Sequence, residues 1–387
     1  MVTSNEQQKQ FSPLLFLAAL GAGGISVIPF AFLQYTYHTG KGLVTYNDIM
    51  HSTLSAGQEI LFRVLEVVMI VFAIIHVALL VKYVKRMIPW MKTRTFKEVF
   101  HNPLKNSTLV APFIAIAMFL NVIIGPARFF IPMISENFQT LMLPALIVWG
   151  IIVVTLLLVE TKLLTISFTK GYDIEKINFG WLLHPFALGM VSVTGTGIAA
   201  MAKDSSIAHT AAFFSTITGI MGLFLLTVKL LVLFQRHFKM KGLPEKQFLP
   251  SFLIVIPNIT LYAIAAFRFG HYLEHQFSFH LGGAYFFIVI MMAFAFEVWY
   301  LLFGLGLLRN YFKKQYFKKE FYPSQWGLVC PFVAFAVLGS FVYKLFVPSP
   351  IIITLVLISA GVAIAFFTDL YFRQRKCFKQ KEGYSCS

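Results

Sequence analysis

Apolar residues fall in long continuous blocks along this chain, and polar residues gather between them. Ten such blocks run roughly over 11–36, 59–84, 107–132, 138–162, 179–202, 208–235, 248–269, 281–308, 325–346 and 350–372. Each is about as long as the roughly 20-residue helix that crosses a hydrocarbon core. The apolar positions are continuous rather than alternating, so the pattern predicts helices and not barrel strands. The even-numbered blocks are bulky and uniform, as in "LEVVMIVFAIIHVALLVKYV" and "LIVWGIIVVTLLLVE". The first block lacks a small-residue cleavage site and has a polar rather than basic flank, so a retained helix is expected in place of a removed signal peptide.

The odd-numbered blocks differ from the even ones at one end. They open with "FSPLLF", "LVAPFIA", "LLHPFAL", "FLPSFLIVIPN" and "LVCPFVAF". Each carries proline (Pro13, Pro112, Pro185, Pro250 with Pro257, Pro331) followed by a phenylalanine such as Phe113, Phe186 or Phe332. Glycines follow a similar split, at positions such as Gly24, Gly125, Gly195 and Gly197, although Gly150, Gly222, Gly304 and Gly306 blur it. A proline inside a helix forfeits a hydrogen bond and costs about 3 kcal/mol. In a membrane the freed carbonyl is tolerated only where protein or a watery cavity receives it. Proline and glycine are also common in membrane helices generally, but a fivefold recurrence at matching ends favours a structural rule. The pattern therefore predicts an all-α polytopic membrane protein of ten transmembrane helices in five hairpins. Odd helices, kinked at these prolines, form an inner ring around a central pore, and even helices form an outer ring.

Composition agrees: of 387 residues, 58 % are hydrophobic and 12 % charged. The net charge of +16 does not point to nucleic acid, because the Lys and Arg cluster after alternate spans, as in Lys82–Lys97, Arg236–Lys246 and Arg309–Lys319. A one-sided basic bias puts both termini in the cytoplasm of a plasma (inner) membrane protein. Residues 1–10 and the basic stretch 373–387 are then cytoplasmic tails around a single membrane domain, 11–372. The tail also suits contact with anionic lipid. The three cysteines are Cys330 in the ninth span and Cys377 and Cys386 in the tail. None lies in an oxidising loop, so no structural disulfide is expected.

At the opposite ends of the odd blocks stand His38 with Lys41, Arg128, Lys203, Arg268 and Lys344. Around a shared axis they would form a basic ring, which selects anions; singly, each also suits snorkelling toward headgroups. Glu66, Glu160, Lys229 and Glu297 fall within even spans, where a charge costs about 2.5–3.5 kcal/mol on insertion scales. They read either as proton-relay groups or as structural pairs between helices, with Lys229 pairing Glu297. The "HYLEH" cluster of His271, Glu274 and His275 reads as an exposed loop, and its order is not that of a zinc protease motif. His76 and His184 do not suggest a facing haem pair, no phosphate-binding loop is present, and no catalytic set emerges. No enzyme, metal or cofactor is expected.

Ten helices in five proline-marked hairpins resemble the tellurite-resistance/dicarboxylate transporter family, which includes bacterial tellurite-resistance proteins, fungal malate permeases and sulfite exporters, and plant slow anion channels. "WLLHPFALGMVSVTGTGIA", "LPSFLIVIPN" and "QWGLVCPFVAFAV" are similar to that family's fifth, seventh and ninth helices. The resemblance implies a homotrimer with one pore per protomer. It also implies a phenylalanine plug just before the ninth-helix proline, where this chain has Cys330. The gate is then absent or supplied by Phe113, Phe186 or Phe332. The expected function is an anion channel or facilitative exporter for a small inorganic or carboxylate anion. The alternatives are a proton-coupled carrier of a dicarboxylate, sulfite or tellurite, and a haem-bearing redox subunit.

Overall fold

Ten membrane-length helices build the structure: α1 (Pro13–Tyr37), α2 (Ala56–Trp90), α3 (Asn106–Phe130), α4 (Met142–Lys170), α5 (Phe179–Met201), α6 (Ser205–Lys239), α7 (Leu249–Phe277), α8 (Gly282–Leu307), α9 (Pro323–Leu345) and α10 (Pro350–Phe378). The structure is a computed structural model and describes residues 11–40, 42–171, 173–240, 242–318, 320–378 and 385–386. The tail 1–10 and Lys41 lie outside the described residues.

The odd helices form a closed ring. Helix α1 packs on α3, α3 on α5, α5 on α7, α7 on α9, and α9 returns to α1. Each even helix lies in the outer groove between its own hairpin partner and the next odd helix: α2 between α1 and α3, α4 between α3 and α5, and so on to α10 between α9 and α1. Burial follows this division without overlap. In the most apolar stretch of each odd helix 50–100 % of residues are buried, against 22–39 % in the even helices. The bulky residues of the even helices therefore face outward, where only lipid can receive them.

Two features of the helix ends depart from the apolar blocks. Even helices overrun them: α2 and α6 are each 35 residues long, about 52 Å at 1.5 Å per residue. Lys and Arg end an apolar block without ending a helix, since both are good helix formers and favour a C-terminal helix end. Odd helices, in turn, begin with a 3₁₀ stretch: Pro13–Leu15 in α1, Asn106–Val110 in α3, Phe179–Leu182 in α5, Leu249–Ile254 in α7 and Pro323–Leu328 in α9. The prolines therefore do not kink the helices midway. Pro13 and Pro250 lie in the first two residues of a 3₁₀ stretch, and Pro112, Pro185, Pro257 and Pro331 in the first three residues of the α-helix that follows. Near a helix start the missing N–H costs least. The interior irregularities lie at the other ends, where five-residue π stretches cover Leu33–Tyr37, a turn beyond Pro29, and Ile123–Ala127, which contains Pro126.

Close helix contacts account for the glycines of α5. A Cβ on Gly195 would stand 2.1 Å from the Trp149 ring of α4 and 2.2 Å from Ser215 Oγ of α6. Trp149 also donates its Nε1–H to Val191 O at 2.9 Å, pinning α4 to α5.

The tail departs from expectation. Glu320–Phe321 pairs in parallel with Ser385–Cys386, and Cys377 is in a disulfide. The expectation of none rested on compartment alone, whereas the strand pairing brings the chain end back to the foot of α10.

Candidate functional site

The five odd helices enclose a cavity of about 940 Å³. Among the described residues, all of its lining comes from odd helices and the loops at their C-terminal ends. Along α9 it extends from Cys330 to Leu345, a rise of about 22 Å. Its floor is formed by Leu20, Phe186, Pro257 and Cys330. None of the 3₁₀ stretches reaches the lining. They pack against one another in the same cyclic order as the helices, and each buries an apolar side chain completely: Leu15, Val110, Leu182, Leu253 and Leu328. The cavity is thus closed on the proline side by a collar of 3₁₀ turns and opens between the C-terminal ends of the odd helices.

Its electrostatics are one-sided. Arg128, Lys203, Arg268 and Lys344 line it, and among the described residues no Asp or Glu does. Three of these cations stand at the mouth. Arg128 Nη1 donates to Leu43 O at 3.1 Å and its guanidinium lies 4.9 Å from the Phe138 ring. Lys344 Nζ donates to Gln34 O at 3.3 Å and to His38 O, so the π-wound end of α1 and the residue that follows it supply its acceptors. Lys203 is exposed. The fourth, Arg268, is deeper than the expected ring. It donates from Nη1 to Val193 O at 2.7 Å, whereas His275 Nδ1 meets Ala200 O at 3.2 Å nearer the mouth. The seven residues separating these levels correspond to roughly 10 Å. Gly197 makes room for Arg268: a Cβ there would stand 3.1 Å from Nη1. Beside Arg268, Tyr35 stacks on Phe341 at 3.7 Å, and Phe341 meets Phe267 edge-on at 5.2 Å.

His38 lies behind the mouth rather than on it. It is buried, and burial lowers its pKa from the ordinary 6.5; Lys344 and Arg128 act in the same direction and Asp48 opposes them. His271 and His275 are on the last turns of α7 and line the cavity. The exposed-loop reading of "HYLEH" is therefore corrected: the i, i+4 spacing continues the helical stripe of Arg268.

Of the four gate candidates, Phe186 and Cys330 line the floor. Phe332 faces away and stacks on Phe366 of α10 at 5.5 Å, because two residues along a helix turn the side chain about 200°. Phe113 is half-buried outside the lining.

The charges on even helices each have a distinct setting. Glu66 pairs with Arg63 at 3.0 Å. Glu160 Oε2 meets His184 Nδ1 at 2.6 Å, with both side chains fully buried. His76 Nδ1 meets Ala19 O at 2.7 Å. The expected Lys229–Glu297 pair does not form, since α6 sits in the groove between α5 and α7 and α8 in the groove between α7 and α9. Instead Lys229 Nζ donates to Trp181 O at 3.2 Å and lies 4.6 Å from the Trp181 ring. Glu297 accepts a hydrogen bond from Thr260 Oγ1, and Thr260 lines the cavity.

The family model of the voltage-dependent anion channel (SLAC1) matches residues 10–372. The chain belongs to that family. Its proteins are anion channels and transporters, and a cationic cavity ringed by five helices, with no lining carboxylate among the described residues, fits such a role. No curated protein matches the chain. Family membership and ten apolar helices make this a multi-pass membrane protein.

Proposed function

We propose that the chain carries small inorganic or carboxylate anions down their gradients, as a channel or facilitative exporter, through the cavity inside the odd helices. The observation that carries this reading is the set of four cations lining a cavity that has no lining carboxylate among the described residues. Anions collect at the mouth in the field of Arg128, Lys203 and Lys344, and a low-dielectric wall focuses that field. Arg268 and the hydroxyl and amide groups of Asn121, Thr194 and Thr260 then replace part of the hydration shell. Weak and multiple contacts let the ion leave again. Passage requires the collar to part and the apolar floor of Leu20, Phe186 and Cys330 to open, because an apolar constriction excludes a hydrated ion by dewetting. Cys330 lies on the same floor as Phe186 and adds little bulk.

The termini and basic loops lie on the cytoplasmic side in this reading, and three protomers assemble with one pathway each. The decisive experiment is flux into proteoliposomes of purified protein, comparing chloride, nitrate, sulfite and malate with potassium. Anion flux above that of empty vesicles, with potassium excluded, is expected. Equal potassium permeation, or no anion flux, overturns the reading.

A further inference from the structure

Glu297, an ionisable side chain of α8, is hydrogen-bonded to Thr260 of the cavity wall. It is fully buried on α8. Its Oε1 meets Thr260 Oγ1, and its Oε2 has no hydrogen-bond partner. Thr260 Oγ1 also lies 3.1 Å from Ile256 O and lines the cavity.

A threonine hydroxyl has one hydrogen and two lone pairs. When Glu297 is ionised it is acceptor-only, so the hydroxyl hydrogen must point back at it and the cavity meets lone pairs. When Glu297 carries a proton, the carboxyl O–H can donate to Thr260 Oγ1. The threonine hydrogen, freed from Glu297, then turns to Ile256 O at 3.1 Å or to an anion in the cavity, which competes for it. We propose that Glu297 is a proton site linked through Thr260 to anion binding, so that each proton taken up by Glu297 favours an anion at Thr260 and each anion bound there favours the proton. This rests on the cavity being the anion pathway.

Other groups do not supply the same switch. On α7, Tyr262 donates to Pro185 O and Arg268 to Val193 O. His271, Tyr272, Glu274 and His275 follow toward the mouth. On α9, Cys330 is a buried free thiol, and Tyr343 and Lys344 are at the far end. On α8 itself, Tyr300 donates to Phe252 O and Tyr285 to Ala266 O. The 3₁₀ stretch Leu249–Ile254 has no titratable side chain. Among these, only Thr260 is hydrogen-bonded to Glu297.

The test is nitrate flux into proteoliposomes with equal pH on both sides, at pH 5.5 and pH 7.5. Wild type is expected to be faster at pH 5.5 by roughly tenfold, the weight of one hydrogen bond to an anion. Glu297→Gln, whose amide donates as the protonated acid does, should be fast at both values. Thr260→Val should be slow at both, while Thr260→Ser keeps the wild-type response. Thermal stability of each variant separates misfolding from lost linkage, and the Val/Ser pair decides the matter if Glu297→Gln is unstable. Wild-type flux equal at both pH values, or a full pH response retained in Glu297→Gln or Thr260→Val, overturns the linkage and leaves the anion pathway standing. The retained response would trace to the mouth histidines. Absence of nitrate flux in wild type at either pH defeats the pathway reading itself.

Discussion

Phe186 and Cys330 share the cavity floor, and their sizes set how much of it is filled. Replacing Phe186 by Ala removes the larger ring and should raise chloride flux, while Cys330→Phe should lower it. Phe332→Ala, which touches α10 instead, should lower thermal stability by about 3–5 kcal/mol at most without raising flux. Proteoliposome flux beside a melting curve distinguishes the three, and an unchanged flux in Phe186→Ala removes that ring from the gate. His38 carries a different expectation. Its pKa is held below 6.5, first by burial, so the unfolded chain takes up its proton more readily than the folded one. The associated stability is present above about pH 6.5 and is lost as pH falls toward the folded-state value. The melting temperature of wild type should thus drop on acidification from pH 7 to pH 5, and that of His38→Gln should drop less.

Among elements, α5 is the most buried of the spans. It is pressed between α4 and α6 on its outer side and faces the cavity on the other, and Gly195 is where Trp149 and Ser215 come closest. Gly195→Ala forces one of them to move and should cost about 1–3 kcal/mol, as overpacking does. Gly150→Ala in α4, where a Cβ meets nothing within 4 Å, should be neutral or slightly stabilising. Thermal unfolding of both variants in one detergent checks this, and equal melting temperatures would mean that α5 has slack. The same helix shows how a buried lysine is accommodated. Lys229 donates to Trp181 O and lies over the Trp181 ring at the start of α5.

At the scale of the molecule, the cations differ in depth, and depth decides how salt acts on them. Lys203 is exposed at the mouth, and its field is screened within a Debye length of about 8 Å at physiological ionic strength. Arg268 is inside, hydrogen-bonded to the middle of α5. Lys203→Gln should therefore lower anion flux at low salt, by roughly two- to threefold, and little at high salt, since screening removes what the charge contributed. Arg268→Gln should lower flux at both. Conductance measured from about 20 mM to 1 M salt separates the two, and parallel curves would place both residues in the same screened environment.

The hydrophobic pattern by itself determined the number of spans and the division into inner and outer helices. Lipid demands continuous apolar helices, and proline recurs at the end where the odd ones begin. It also singled out Arg128, Lys203, Arg268 and Lys344, which line the cavity, because Arg and Lys at the ends of inner helices have few other places to go, but His38, named with them, does not line it. Four things were decided only by the tertiary structure. The 3₁₀ collar was one, since winding depends on how five chain ends crowd one axis rather than on any residue type. The depth of Arg268 was another, because a helix register relative to its neighbours is fixed by side-chain packing across the ring. Phe332 turned away because helix rotation is set by contact with α10. The partners of Lys229 and Glu297 also lay beyond reach of the pattern: hydrogen bonds between residues 37 and 48 positions apart depend on which helices adjoin, and adjacency exists only once the ring has closed.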